Sequence, residues 1–187
     1  MASSACLPTS GARALIADAE AKLSAAGVPG AQFDAELLLA HVLGLTRPQL
    51  VAALADQTIT AAQLEEFQKS VARRTAREPL AYVTGSKGFR NIELGVDARV
   101  LVPRPETELL VATAIVDRPC GVLDVGTGSG AVALALASEL PDGTVDAVDI
   151  STDALEVAAA NAQRLGLEAR TRFFQSDLLA SVDGVYD

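Results

Sequence analysis

Two cysteines, one histidine and 15 basic residues against 24 acidic ones mark what this 187-residue chain has little of. Cys6 and Cys120 are too few and too far apart for a disulfide framework or a metal site, so cytosolic thiols and no metal are expected. His41, the sole histidine, stands among Leu38, Leu39 and Leu43 without a partner for a dyad and reads as a helix residue, not a catalyst. Nothing else has the look of a general base. The net charge of −9 excludes general affinity for nucleic acid, whose phosphates demand a basic face. The one basic cluster, Lys69, Arg73, Arg74 and Arg77, reads as the solvated face of a helix, with a docking patch for an acidic protein as the functional alternative. Long apolar runs are missing too: Ala131–Ala137 is far short of the ~20 residues of a membrane span. The first residues lack the basic-then-apolar order of a signal peptide. A cytoplasmic protein with no membrane segment is expected.

What the chain does have is Leu123-Asp-Val-Gly-Thr-Gly-Ser-Gly-Ala131, an apolar strand ending in an acid, then three alternate glycines before a helical run from Ala131 to Leu140. Gly126, Gly128 and Gly130 allow a tight strand-to-helix turn with positive φ and let backbone N–H groups approach a ligand. The same loop fits the relaxed dinucleotide fingerprint, so the glycines alone leave nicotinamide and flavin cofactors open. Two more acids narrow the choice. Asp149 closes a second strand, Val145–Ile150, where a carboxylate can accept both ribose hydroxyls. Asp177 closes a third, from Thr171, placed to receive an adenine amino group. Asp124 discriminates between cofactors: a dinucleotide would bring a pyrophosphate beside it, whereas S-adenosylmethionine (SAM) brings a sulfonium and an ammonium that carboxylates attract. No Lys or Arg lies between Asp124 and Asp149, and the pattern favours SAM over NAD. Each acid alone could be a cap or turn residue; three at successive strand ends point to a site.

The chain divides at about residue 85. Before it, apolar residues recur at helical spacing: Leu15, Ile16, Ala19, Leu23; Phe33, Leu37, Leu38, Val42; Leu64, Phe67, Val71. Gly27 and Gly44 follow the first two runs, Pro48 opens a short third, and Thr60-Ala-Ala-Gln63 is a capping box for the fourth. Residues 1–84 thus read as a small helical domain. Residues 85–103 alternate polar and apolar about a turn at Gly95 and read as a β-hairpin linker. Pro103-Arg-Pro-Glu-Thr-Glu108 opens a helix, and residues 104–187 read as an α/β, Rossmann-like domain.

The neighbouring residues carry a family likeness. Asp124-Val-Gly-Thr-Gly-Ser-Gly130 together with Asp149-Ile-Ser-Thr-Asp-Ala-Leu-Glu-Val-Ala-Ala-Ala-Asn-Ala162 resembles the class I SAM-dependent methyltransferases. Val100-Leu-Val-Pro-Arg-Pro-Glu-Thr-Glu108 and Arg77-Glu-Pro-Leu-Ala-Tyr-Val-Thr-Gly85 are similar to the release factor glutamine methyltransferases, the HemK/PrmC family. The likeness covers about residues 73–187, and the helical segment more loosely. It implies methyl transfer from SAM to the side-chain amide nitrogen of the glutamine in the Gly-Gly-Gln loop of peptide chain release factors. It implies Asp124 near the methionine amino group, Gly126, Thr127, Gly128, Ser129 and Gly130 as the backbone cradle, Asp149 with Ile150 at the ribose, and Asp177 with Leu178 around the adenine. Phe89, Arg104, Pro105, Glu106 and Thr107 are implied beside the methionine end, and the helical domain as the part that recognises the release factor.

The family also carries an Asn-Pro-Pro-Tyr motif after its fourth strand, to hold the substrate amide; here the sequence ends at Val185-Tyr-Asp187, where that strand is expected to begin. The chain is accordingly expected to be a fragment without the substrate-gripping residues, and inert as it stands. The alternatives are a SAM-dependent methyltransferase of another amide or amino nitrogen, on a nucleic-acid base or another protein, a non-catalytic SAM-binding protein, and an NAD-dependent oxidoreductase.

Overall fold

The computed structural model describes residues 11–55 and 57–187, in two compact units that divide between Thr84 and Gly85. Cys6 lies outside the described residues. Among them, no helix is long and apolar enough to cross a membrane.

The first unit is helical: α1 (Ala12–Ala25), α2 (Ala31–Leu43), α3 (Arg47–Ala52), α4 (Ala61–Thr75) and α5 (Leu80–Thr84). On α1 the four- and three-residue spacing of Ala12, Ile16, Ala19 and Leu23 brings them to one side. They join Ala35, Leu38 and Leu39 of α2, Leu50 of α3, and Phe67 and Val71 of α4 in one core, each fully buried leucine contributing about 1.5–3 kcal/mol. The helix ends follow the sequence punctuation. Thr60 Oγ1 accepts from Gln63 N at 3.2 Å while Gln63 Oε1 accepts from Thr60 N at 3.0 Å, and Thr46 with Gln49 makes the same box ahead of Pro48. Gly44 stops α2 at φ 67°. Phe33 corrects the expected core. It is 49% exposed, with the Arg47 guanidinium 4.9 Å over its ring, because α2 turns Ala35, Leu38 and Leu39 inward instead.

All four members of the basic cluster are occupied. Lys69 pairs with Glu65 at 2.8 Å and Arg74 with the buried Asp34 at 2.7 Å. Arg73 holds Glu78 and also donates to the Tyr82 carbonyl at 3.1 Å. Arg77, at φ 70°, turns its guanidinium onto the Gly27 carbonyl past the end of α1. The Arg77–Gly85 motif therefore begins as a clasp between α1, α4 and α5.

In the second unit, β1 (Ser86–Phe89) and β2 (Ile92–Gly95) form an antiparallel hairpin with Phe89 opposite Ile92. Its turn is Arg90-Asn91, with Arg90 at φ 50°, and not Gly95 as expected. Gly95 instead ends β2 where a Cβ would come within 3.1 Å of Asn161 Oδ1, so the glycine serves a close approach. After α6 (Thr107–Ala114) come β3 (Gly121–Val125), α7 (Ala131–Glu139), β4 (Thr144–Asp149), α8 (Thr152–Leu165) and β5 (Thr171–Gln175). The three strands are parallel in the order β3-β4-β5, with Asp124 opposite Ala147 and Asp149 opposite Gln175. Parallel strands require crossovers, which α7 and α8 supply, and the chain is α/β from Gly121 onward. Leu134 and Leu136 of α7, Val145, Ala147 and Val148 of β4, and Val157 and Ala158 of α8 fill the space between helices and sheet. At the start of β3, Asp187 N donates to Gly121 O at 3.0 Å and Asp187 Oδ2 accepts from Cys120 N at 2.6 Å.

Candidate cofactor site

The crossover geometry places the C-terminal tips of β3, β4 and β5 side by side, where a parallel sheet collects its ligands. Gly126, Gly128 and Gly130 adopt φ of 79°, 56° and 80°, a run that side-chain-bearing residues would resist. Gly126 N and Thr127 N both donate to Val148 O, at 2.8 and 3.0 Å, which folds the loop over the end of β4. A Cβ on Gly126 or Gly128 would meet nothing within 4 Å, so the outer side of the loop is open, whereas one on Gly130 would strike Leu134 Cδ1 at 2.9 Å.

Two carboxylates are tied into this loop. Asp124 Oδ2 accepts from Thr127 Oγ1 at 2.7 Å and from Ala133 N, in the first turn of α7, at 3.2 Å. Asp149 Oδ2 accepts from Gly128 N at 2.9 Å and its Oδ1 from Ser151 N at 3.0 Å. Burial pushes the Asp124 carboxyl above the usual aspartate range. Its hydrogen bonds to Thr127 and Ala133 oppose that shift, and the charge of Asp149 adds to it. Among the described residues neither Asp124 nor Asp149 forms an ion pair with Lys or Arg. Two acids without an internal counter-cation, beside an open loop, suit a cationic ligand.

The structure brings Asp124, Gly126–Gly130 and Asp149 into one hydrogen-bonded knot, with Thr127 and Ser129 buried. Ile150 and Leu178 are exposed at the tips of β4 and beyond β5, Leu178 at φ 48°. Asp177 is exposed two residues past β5, next to the buried Ser176, whose N–H donates to Asp149 O at 3.1 Å. Phe89 is 1% exposed and belongs to the core. Arg104, Pro105, Glu106 and Thr107 make the turn that opens α6, where Thr107 N donates to Arg104 O at 3.0 Å. None of the hydrogen bonds among the described residues joins these four to the glycine loop. Two contributors escaped the reading of the sequence. Ser151 caps α8 through Ala154 N at 3.2 Å, and Asn161 reaches the carbonyl of Ser129. The signal for Asn161 was an amide alone in the buried stripe Ala154, Val157, Ala158, Ala162.

Residues 14–85 match the family described as PrmC N-terminal domain and residues 105–187 the family described as Methyltransferase small domain. The release factor glutamine methyltransferase of Burkholderia pseudomallei (strain K96243) is 46% identical over 159 residues, covering 80% of this chain and 55% of the relative. That of Moorella thermoacetica (strain ATCC 39073 / JCM 9320) is 42% identical over 178 residues, covering 92% and 62%. That of Escherichia coli (strain K12) is 41% identical over 154 residues, covering 81% and 55%.

The chain carries a stretch similar to the PrmC N-terminal domain, followed by one similar to the methyltransferase small domain. The chain spans between 55% and 62% of the length of those three relatives. A solved ribosomal protein L11 methylase from Lactobacillus delbrueckii subsp. bulgaricus is 33% identical over 44% of each chain, at a TM-score of 0.39. SAM is the cofactor that suits a methyltransferase domain with this site, in which Asp124 forms no ion pair among the described residues and the outer side of the glycine loop is open.

Proposed function

We propose that this chain is the cofactor-binding part of a protein methyltransferase that moves a methyl group from SAM to the side-chain amide nitrogen of the glutamine in the Gly-Gly-Gln loop of peptide chain release factors. The observation that carries this reading is the knot of Asp124, the glycine loop and Asp149, anionic and without a counter-cation among the described residues, in a chain that matches the PrmC N-terminal domain and the methyltransferase small domain. The names of its relatives support the substrate. A cytoplasmic address goes with that substrate.

When bound, the cofactor supplies an electrophilic methyl on a sulfonium. Asp124 would hold its ammonium, the loop at 126–130 its backbone-facing polar groups, Asp149 its ribose hydroxyls, and Asp177 with Leu178 its adenine. Ile150 would border the ribose. Thr127 and Ala133 keep the Asp124 carboxylate aimed at the loop by two hydrogen bonds. The Asp149 carboxylate is held by Gly128 N–H and Ser151 N–H in the same way. An amide nitrogen is a weak nucleophile, so the rate would rest on alignment and on electrostatic support more than on a general base. Its proton becomes acidic as the nitrogen gains positive charge and can leave to water. The Asn-Pro-Pro-Tyr residues that grip the amide in the family are not in the sequence through Asp187. Asp124 disfavours NAD, whose pyrophosphate would meet like charge beside the first glycine turn.

The test uses the full-length gene product, methyl-labelled SAM and a purified release factor, beside the same factor with its Gly-Gly-Gln glutamine changed to alanine. Label in the native factor alone is the expected result. Label in neither factor, with SAM binding demonstrated, would remove the release factor as substrate and leave the cofactor site standing.

A further inference from the structure

Asn161 lies in the middle of α8, where only 3% of its surface is exposed and an unpaired amide would be costly. Every polar position of the side chain is used. Nδ2 donates to Gly95 O and to Ser129 O, each at 2.9 Å, and Oδ1 accepts from Gly95 N at 2.7 Å and from Arg164 Nη2 at 3.1 Å. A carboxamide has two donor and two acceptor positions, so its orientation is determined: a flip would set NH2 against the Gly95 N–H and oxygen against two carbonyls. The exchange with Gly95 requires the absence of a Cβ there, which would sit 3.1 Å from Oδ1.

The remaining bond, to Ser129 O, acts on the glycine loop. A peptide unit is planar, so holding the Ser129 carbonyl also sets the Gly130 N–H, which returns to Thr127 O at 2.9 Å. Gly128 N–H, on the other side of Ser129, is directed to Asp149 Oδ2. Asn161 thus grips the loop from behind while Asp124 and Asp149 grip it from the strand tips.

We propose that Asn161 is a positioning residue for the cofactor site, shaping the loop at 126–130 before a ligand arrives through its bond to Ser129 and tying that loop to β2 through Gly95. A cradle shaped in advance binds more tightly because less order is lost on binding. The proposal rests on the reading of that loop as the SAM cradle.

The test compares Asn161→Ala, Asn161→Asp and Gly95→Ala in the full-length protein with Val157→Ala, a buried residue of α8 that forms no side-chain hydrogen bond. Asn161→Asp keeps oxygens for the Gly95 N–H and Arg164 but loses both donors. Gly95→Ala disturbs the contact from β2 and covers the case in which a change on α8 prevents folding. Hydrogen exchange of the loop amides is followed without ligand, and SAM affinity by calorimetry. The expected result is faster exchange at 126–130 and a rise in Kd of about tenfold in the Asn161 variants, in the same direction but smaller in Gly95→Ala, and neither change in Val157→Ala at a similar drop in Tm. Loop exchange unchanged from wild type overturns the proposal, whatever the affinity does. Faster loop exchange in a protein whose wild type binds no SAM would uphold the positioning role and overturn the cofactor reading.

Discussion

Asp124 concentrates the chemistry of the site in one side chain. Burial makes its charged form costly, and no cation within the described residues offsets that cost. Because its carboxyl titrates higher in the folded chain than unfolded, it contributes stability that is present below about pH 3.9, the ordinary aspartate value, and is lost as pH rises through the folded value. Asp124→Asn keeps an oxygen for Thr127 and Ala133 and removes the charge. The ligand-free variant is expected to melt at a higher temperature than wild type at neutral pH, with the gap closing on acidification, while SAM affinity falls by about tenfold or more. Melting curves across pH and calorimetry at neutral pH check both halves; a variant less stable than wild type at pH 7 would contradict the charge account. Legibility at this scale follows chemistry. Asp124 and Asp149 could be read from their places after apolar runs, because a strand tip is defined locally, whereas the strand expected to end at Asp177 stops at Gln175. Asn161 carried no such mark: its partners Gly95 and Ser129 lie 66 and 32 residues away, and only folding brings them to it.

At the scale of elements, local chemistry decided most of the helices and little of the rest. The capping box before α4, the proline in the first turn of α3 and the glycine after α2 were visible as short patterns, since caps bond within three residues, while the Thr46–Gln49 box before α3 emerged only in the structure. Removing the α4 cap with Thr60→Ala leaves the Gln63 N–H without its acceptor and should cost about 1 kcal/mol, read as a lower urea midpoint with an unchanged slope. An unchanged midpoint would mean that core packing alone holds the start of α4. The five-residue α5 had no such pattern. It is held from outside, by the Arg73 guanidinium on the Tyr82 carbonyl and by Arg74 on the Glu78 carbonyl just ahead of it. The hairpin turn was misplaced for a related reason. Glycine is the usual mark of a positive-φ turn, yet Arg90 takes that conformation while its guanidinium is bound to Glu139 at 2.7 Å and to the Glu108 carbonyl at 3.2 Å. A distant ion pair and a carbonyl on α6 here hold a turn that local preference would have placed at Gly95.

Taken whole, the chain distributes its apolar surface unevenly. In the helical unit the core is closed, and among the described residues only Phe33 and Val51 are large apolar side chains left open to water. In the second unit Leu109 and Leu110 stand out on α6, which buries only Val111, and Val116, Ile150, Leu178, Leu179 and Val185 are exposed as well. β3, which carries Asp124, pairs with β4 on one side and among the described residues meets Asp187 on the other, through Asp187 N–H to Gly121 O, and all but the last of its residues are half-buried rather than buried. Apolar patches of this kind invite association. Residues 85–187 expressed alone are therefore expected to bind a hydrophobic dye and to scatter light increasingly with concentration, whereas residues 11–84 should do neither and should unfold reversibly. Arg77 turned onto the end of α1, and Arg74 paired with Asp34, supply the helical unit with internal closures that need nothing from the second. Equal dye binding by the two pieces would mean that the helical core is looser than its buried leucines imply, and the asymmetry inferred from exposure would fall.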